Sequence, residues 1–233
     1  MTVWAEWAEV TLAFAAFLVS HAVPARPAVR RRLQARLGGA GYAAAYSAVS
    51  LVILAWLIAA VRDAPHIQLW DFELWQLWVP NLVMPFACVL IASGVAAPNP
   101  FSIAGRNSER FDPDRPGIAG VTRHPLLWAI TLWALAHIVP NGDFAHVLLF
   151  GLFALFGMAG MAALDGRKRK EWGRDLWERR AAKTSALPFA ALFAGALRWR
   201  ELRLPAWRMA AALALYAALL GLHPLVIGVS PLP

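Results

Sequence analysis

The stretch GYAAAYSAVSLVILAWLIAA, residues 41–60, contains 20 residues and not one charge. A membrane-spanning helix needs about 20 mainly apolar residues, so this stretch has the length and composition of a complete span. The basic run ARPAVRRRLQAR (25–36) precedes it, whereas only Arg62 follows it closely. Because positive charge collects on the cytoplasmic side of a membrane, the span is predicted to begin there.

Five further apolar stretches extend this pattern over the whole chain. Of its 233 residues, 60% are hydrophobic and 15% are charged, whereas a soluble domain carries about a quarter charged residues. The predicted fold is therefore all-α, a polytopic membrane helix bundle forming a single domain over 1–233. The six predicted spans, of which the fourth is short, are 10–23, 41–60, 77–97, 125–140, 144–164 and 207–229.

The positive charges give this bundle an orientation. With the spans so placed, every one of the 22 Lys and Arg residues except Arg62 falls on the same side. The positive-inside rule puts that side in the cytoplasm and both chain termini on the outer side. The run RKRK (167–170) is accordingly interpreted as a topology signal that contacts anionic membrane lipid, and nucleic acid is not an expected partner.

Three segments outside the spans have their own patterns. Residues 165–185 place an apolar face opposite charges, which predicts a cytoplasmic amphipathic helix on the membrane surface. Residues 186–197 are apolar but too short to span, which suits an interfacial or re-entrant element. The Pro- and Gly-containing insert 98–123 is predicted to be a loop held by contacts. The apolar face of the first segment consists of Trp172, Leu176 and Trp177.

The histidines can be sorted by their predicted depth. His21 lies at the inner end of the first span and His124 at the inner entry of the fourth. His137 comes 13 residues later, which is a rise of about 19.5 Å along a helix, so His124 and His137 cannot bind the same metal ion. Two depth-matched sets remain: His21 with His124, and His137 with His223 or His146.

These histidines favour haem over zinc. Placing an ionisable group inside a membrane costs free energy, so such groups usually mark function. A histidine at a helix end can, however, hydrogen-bond a backbone carbonyl and have no other role. Zinc requires about four close ligands, and no such cluster is visible. Haem needs one or two imidazoles from separate helices, and the absence of a CxxCH motif excludes covalent attachment. Arg123 is then a candidate partner for a haem propionate.

Several motifs together resemble one family of membrane proteins. The similarity is to the NnrU family and its plant relative, 15-cis-zeta-carotene isomerase, and it runs in order along nearly the whole chain. It implies a multi-pass protein of the bacterial inner membrane, so the outer side, where the charge distribution places both termini, is expected to be the periplasm. The matching motifs are SHAVPARP (20–27), TRHPLLW (122–128), LWALAHIVPNG (132–142), WGRDLWERRAAKTSALPFAAL (172–192) and GLHP (221–224).

The two branches of this family imply different functions. Resemblance to the isomerase implies haem b, axial ligands at His21 and His137, and cis–trans isomerisation of a lipophilic polyene such as a carotenoid. The depth argument pairs His21 with His124 instead, so both helix-four histidines remain candidate ligands. Resemblance to the NnrU branch implies an accessory or sensor protein in nitric oxide and nitrite metabolism during denitrification.

A second, more distant similarity concerns the Arg-His-Pro motif. Membrane methyltransferases that modify prenylated cysteine or phospholipid carry this motif at the inner start of a helix, where it helps to hold S-adenosylmethionine. By that resemblance Arg123 and His124 would contact this cofactor. Those enzymes have a pair of acidic residues nearby, whereas this chain has only Asp165 at the corresponding position.

Overall fold

The computed structural model describes residues 3–103, 105–106, 108–202 and 204–233, which form helices and connecting loops without a β-strand. The all-α prediction is therefore confirmed for this part of the chain. Short 3-10 turns at Leu74–Leu77, Ser108–Arg110 and Trp199–Glu201 lie between the longer elements. The α-helices are α1 (Val3–Ala25), α2 (Pro27–Arg62), α3 (Trp78–Gly94), α4 (Ile118–Val121), α5 (Pro125–Ile138), α6 (Phe144–Ala181), α7 (Ala190–Phe193) and α8 (Ala206–Val226).

Several of these helices have the length and apolar composition of membrane spans. The helix α5 corresponds to the predicted fourth span, but its 14 residues measure about 21 Å, less than the roughly 30 Å hydrocarbon core of a bilayer. A multi-pass membrane protein is thus supported, and six crossings with both termini outside stay a prediction. Within the described part of the chain, five segments are long enough to span: Ala5–Pro24, Pro27–Arg62, Leu74–Gly94, Phe144–Ala181 and Ala206–Val226.

The chain divides into two compact units. The first contains Met1–Trp70 and Asp143–Leu149, and the second contains Asp71–Gly142 and Phe150–Pro233. In the first unit, α1 packs along α2. The buried apolar side chains on these two helices are Val10, Ala13, Phe14, Phe17, Leu57, Ala60 and Val61.

Glycines allow close helix contacts in the second unit, where α3 packs against α5 and α8. A Cβ added to Gly94 of α3 would lie only 2.6 Å from Cγ of Pro125. A Cβ added to Gly157 of α6 would collide with the hydroxyl of Thr131 on α5. At both positions a larger residue would force the helices apart.

The amphipathic segment directly follows the fifth predicted span within α6, and Gly173, whose backbone is not helical (φ 74°, ψ 170°), divides that helix into two parts at a kink. Its location on a membrane surface stays a prediction. Its aromatic side chains have contacts within the protein. The Phe101 ring centroid lies 5.3 Å from that of Trp172 and 5.5 Å from that of Trp177. The apolar face therefore contacts the 98–123 insert and packs on its Phe101 side chain.

The segment 186–197 folds as turns around the four-residue helix α7. It packs against α4, and the Phe189 N–H donates to the Val121 carbonyl at 2.8 Å. One side is exposed, since Phe193 keeps 80% of its surface accessible. This is compatible with the interfacial prediction, and it also covers the loop that leads into α5. Its buried side chains are Ala191, Leu192 and Leu197.

Candidate functional site

A buried polar cluster lies at the start of α5 in the second unit. The Arg123 guanidinium donates to both carboxylate oxygens of Asp165, with Nη2 2.6 Å from Oδ2 and Nε 3.3 Å from Oδ1. The His124 ring donates from Nε2 to Oδ1 of the same carboxylate at 2.9 Å. A third contact runs from Arg123 Nη1 to Thr184 Oγ1 at 3.3 Å. One carboxylate on α6 thus binds two consecutive residues of the Arg-His-Pro motif.

The local sequence explains how this motif is presented. Pro125 begins α5, and a proline both suits the first turn of a helix and keeps the preceding residue out of helical conformation. The extended residues before it pair with the 184–189 segment: the Arg123 N–H donates to the Ser185 carbonyl at 2.9 Å, and Thr122 Oγ1 donates to the Ala186 carbonyl at 2.9 Å. The motif is therefore held by its backbone as well as by its side chains.

Burial makes this cluster energetically important. The side chain of Arg123 is 10% exposed, that of Asp165 is 12% exposed and that of His124 is fully covered. Charges removed from water are stable only when paired, and removing one partner of a buried pair costs about 3–5 kcal/mol. The second ring nitrogen, Nδ1 of His124, is buried and has no hydrogen-bond partner among the described residues. The cluster is thus a tightly packed ion pair with one unsatisfied imidazole nitrogen.

Arg123 and His124 fit a haem poorly in this arrangement. The Arg123 guanidinium, which was expected to pair with a propionate, donates to Asp165 instead. Nε2 of His124, the ring nitrogen farther from the backbone, donates to the same carboxylate. The His124 ring has no accessible surface. The same contacts engage the side chains that the methyltransferase resemblance assigns to S-adenosylmethionine. The structure instead gives both residues a partner in the protein.

His137 has a different environment near the end of α5. Its Nδ1 donates to the Trp133 carbonyl one turn earlier, at 2.7 Å. Its ring lies among aromatic side chains, with centroids 5.6 Å from those of Trp133 and Phe150. A histidine whose Nδ1–H is held by a carbonyl is fixed in the tautomer that presents Nε2 as a metal ligand. His137 therefore fits an axial haem ligand.

His21 in the first unit has the same local geometry. Its Nδ1 lies 2.8 Å from the Phe17 carbonyl one turn earlier in α1. The ring centroids of His21 and Phe17 are 4.2 Å apart, and the ring of Tyr46 on α2 lies 5.9 Å away. The tautomer of His21 is thus set in the same way, which suits the ligand role implied by the family resemblance.

Sequence reasoning missed a second carboxylate with two histidine partners. In the first unit, Asp143 Oδ1 lies 3.2 Å from Nδ1 of His66 and Oδ2 lies 2.9 Å from Nδ1 of His146. Burial acts to raise the pKa of Asp143, but hydrogen bonds from His146 and from the Ile67 N–H outweigh it and lower that pKa. The i,i+3 spacing of Asp143 and His146 at the start of a helix was a readable signal, whereas the contact with His66 was not.

No group of three or more His, Cys, Asp or Glu residues within the described ranges has the arrangement of a metal site. Apolar helices of spanning length define the class, a helical, multi-pass membrane protein. The chain belongs to the NnrU family, whose model, described as NnrU protein, matches residues 9–231. No curated protein and no solved structure matches it.

Proposed function

We propose that this NnrU-family protein binds haem b through His137 in the second unit and isomerises a cis double bond of an apolar polyene. The observation that carries the proposal is the 2.7 Å hydrogen bond from Nδ1 of His137 to the Trp133 carbonyl. This bond leaves Nε2 as the ligating nitrogen, and a neutral imidazole in that tautomer is the usual protein ligand of haem iron. His21 has the same arrangement with Phe17 and is proposed as a ligand on the family resemblance.

The surroundings of His137 suit a flat, apolar group. The ring centroid of Trp133 lies 5.3 Å from that of Phe150 and 5.6 Å from that of Phe153. Aromatic side chains provide a large apolar contact area at a low entropic cost. On the same helix, Ile130 and Leu135 are 38% and 45% exposed, so a lipophilic molecule can reach α5 from the bilayer.

The role of the protein in this reaction is to bind and orient. Haem iron, when bound, would supply electronic assistance to rotation about a polyene double bond. The aromatic side chains around His137 would hold the conjugated chain by apolar contact and exclude water from it. The His137 tautomer, fixed by Trp133, would keep the ligating nitrogen in place.

Absorption spectroscopy of the purified full-length protein tests the haem proposal. The protein produced with haem supplementation is expected to show a Soret band, and His137→Ala is expected to lose most of it. His66→Ala is the control, because His66 is an exposed histidine outside the proposed ligand sets and lies 3.2 Å from Asp143. A colourless wild-type protein, or a His137→Ala spectrum identical to that of His66→Ala, would overturn the assignment.

Two further measurements separate the remaining functions. Conversion of a cis-polyene in proteoliposomes, followed by chromatography, is expected for the wild type and not for His137→Ala. A haem spectrum that changes on nitric oxide binding, without any polyene conversion, would replace the isomerase with a nitrogen-oxide sensor or accessory protein. Binding of S-adenosylmethionine by a haem-free protein would instead favour the methyltransferase.

A further inference from the structure

A patch of cations and indole rings lies on α6 just beyond the end of its apolar run. Between Asp165 and Lys183 the chain has eight basic and four acidic residues, so this segment carries a net charge of 8 − 4 = +4. The basic–aromatic patch, as we use the term, consists of Lys168, Arg169, Trp172, Arg174, Trp177 and Arg180.

The aromatic rings fix the positions of several cations in the patch. The Arg169 guanidinium lies 4.9 Å from the ring centroid of Trp177, and that of Arg180 lies 4.7 Å from that of Trp172. Cation–π contacts of this length orient a guanidinium without neutralising its charge. Within the described ranges, neither arginine has a carboxylate within ion-pair distance, whereas Lys168 is paired with Glu171 at 3.0 Å. Arg169 and Arg180 therefore have charge available for an anion.

Arg169 also borders a surface concavity. The concavity has a volume of about 410 Å³ and is lined by Arg169, Arg174, Trp177 and Glu178. Its second cation, Arg174, is held by Glu178, with Nε 2.8 Å from Oε1. A phosphate entering here would meet the guanidinium of Arg169 first and compete with Glu178 for that of Arg174. Guanidinium groups bind phosphate oxygens in pairs, so both arginines suit this ligand.

The position along α6 identifies the source of the phosphate. Arg169 comes five residues after Leu164, the last residue of the apolar run, which is a rise of about 7.5 Å. The headgroup layer on each side of a bilayer is about 5–7.5 Å thick, from a total of 40–45 Å and a core of about 30 Å. We propose that the patch binds the headgroup phosphate of an anionic phospholipid, with Arg169 as its main contact.

Native mass spectrometry of the detergent-solubilised full-length protein tests this proposal. The wild type is expected to retain phosphatidylglycerol in preference to phosphatidylcholine. Arg169→Gln is expected to weaken phosphatidylglycerol binding by about tenfold or more, because it removes charge-assisted hydrogen bonds. The matched control is Lys170→Gln, which removes a neighbouring exposed charge and is expected to cost no more than about fivefold, the effect of one basic residue near a membrane surface. Arg169→Lys keeps the charge and should lie between them.

Three results would overturn the proposal. Equal losses in Arg169→Gln and Lys170→Gln would mean that the charge acts diffusely. Equal retention of phosphatidylcholine and phosphatidylglycerol by the wild type would mean that the patch does not select anionic lipid. Displacement of the lipid by millimolar inorganic phosphate would identify a free anion as the ligand. The Soret band of each variant is recorded alongside, so failure of the haem assignment is detected separately.

Discussion

Arg123 and Asp165 are 42 residues apart in the chain, yet Nη2 of the arginine lies 2.6 Å from Oδ2 of the carboxylate in a buried ion pair. The backbone of Arg123 is held as well, since its carbonyl accepts a hydrogen bond from Asn99 Nδ2 at 3.0 Å and its N–H donates to Ser185. The pair therefore connects α6, the entry of α5 and two loops. The ion pair therefore stabilises the packing of these elements in the second unit.

Removing the carboxylate should destabilise the protein strongly. Asp165→Asn leaves the Arg123 charge buried without a counter-ion, so we expect a loss of about 3–5 kcal/mol in the free energy of unfolding. Chemical unfolding of the detergent-solubilised protein measures this loss. Asp175→Asn, an exposed position on the same helix, should change stability by less than about 0.5 kcal/mol. Equal effects of the two variants would mean that the ion pair is not a stabilising contact.

The close contact of α5 and α6 should depend on Gly157. Gly157→Ala places a methyl group against the Thr131 hydroxyl, and overpacking of this kind costs about 1–3 kcal/mol. Gly151→Ala on the same helix meets no atom within 4 Å and should be neutral or stabilising, since alanine favours helix. Thermal unfolding compares the two. Adding Thr131→Ala to Gly157→Ala should restore part of the loss, and no restoration would refute the steric explanation.

The kink in α6 should require a glycine. Gly173 has φ 74° and ψ 170°, a backbone region that only glycine enters readily, at a cost of about 1–3 kcal/mol for other residues. Gly173→Ala should therefore lower the unfolding temperature. The control Gly166→Ala lies on the same helix at a position with ordinary φ and open space around it. Similar unfolding temperatures for both variants would show that a side chain at residue 173 does not strain the backbone of the kink.

Stability at low pH should depend on Asp143. Its pKa is lowered in the folded protein, because hydrogen bonds from His146 and Ile67 outweigh the effect of burial. A carboxylate whose pKa is lowered by folding stabilises the fold at pH values above its pKa in the unfolded chain, about 3.9. This contribution is lost as the pH falls through the pKa of the folded state. Unfolding temperatures measured from pH 6 to pH 3 should therefore fall less in Asp143→Asn than in wild type.

The control for this pH series is Asp63→Asn, which changes an exposed carboxylate in the same unit. It should keep the pH profile of the wild type. A wild-type profile in Asp143→Asn would contradict the assigned role of the carboxylate.

The local hydrogen bonding of two candidate ligands could be predicted from the sequence. His21 and His137 both lie in apolar helices, and each binds the carbonyl one turn earlier, an arrangement that depends on neighbouring residues only. The sequence also identified Arg123 and His124 as candidate site residues. It did not identify their partner, because the position of Asp165 next to them depends on how α6 packs against α5.

Apolar composition alone determined that this chain is a helical membrane protein. The hydrocarbon core offers no water to hydrogen-bond with the backbone, so a long apolar stretch must satisfy its own N–H and C=O groups as a helix. Tertiary structure alone decided that the Arg-His-Pro motif binds a carboxylate from α6 and that the indoles of residues 172 and 177 pack on Phe101. Such contacts join residues far apart in the chain, and their geometry follows from helix packing rather than from local sequence.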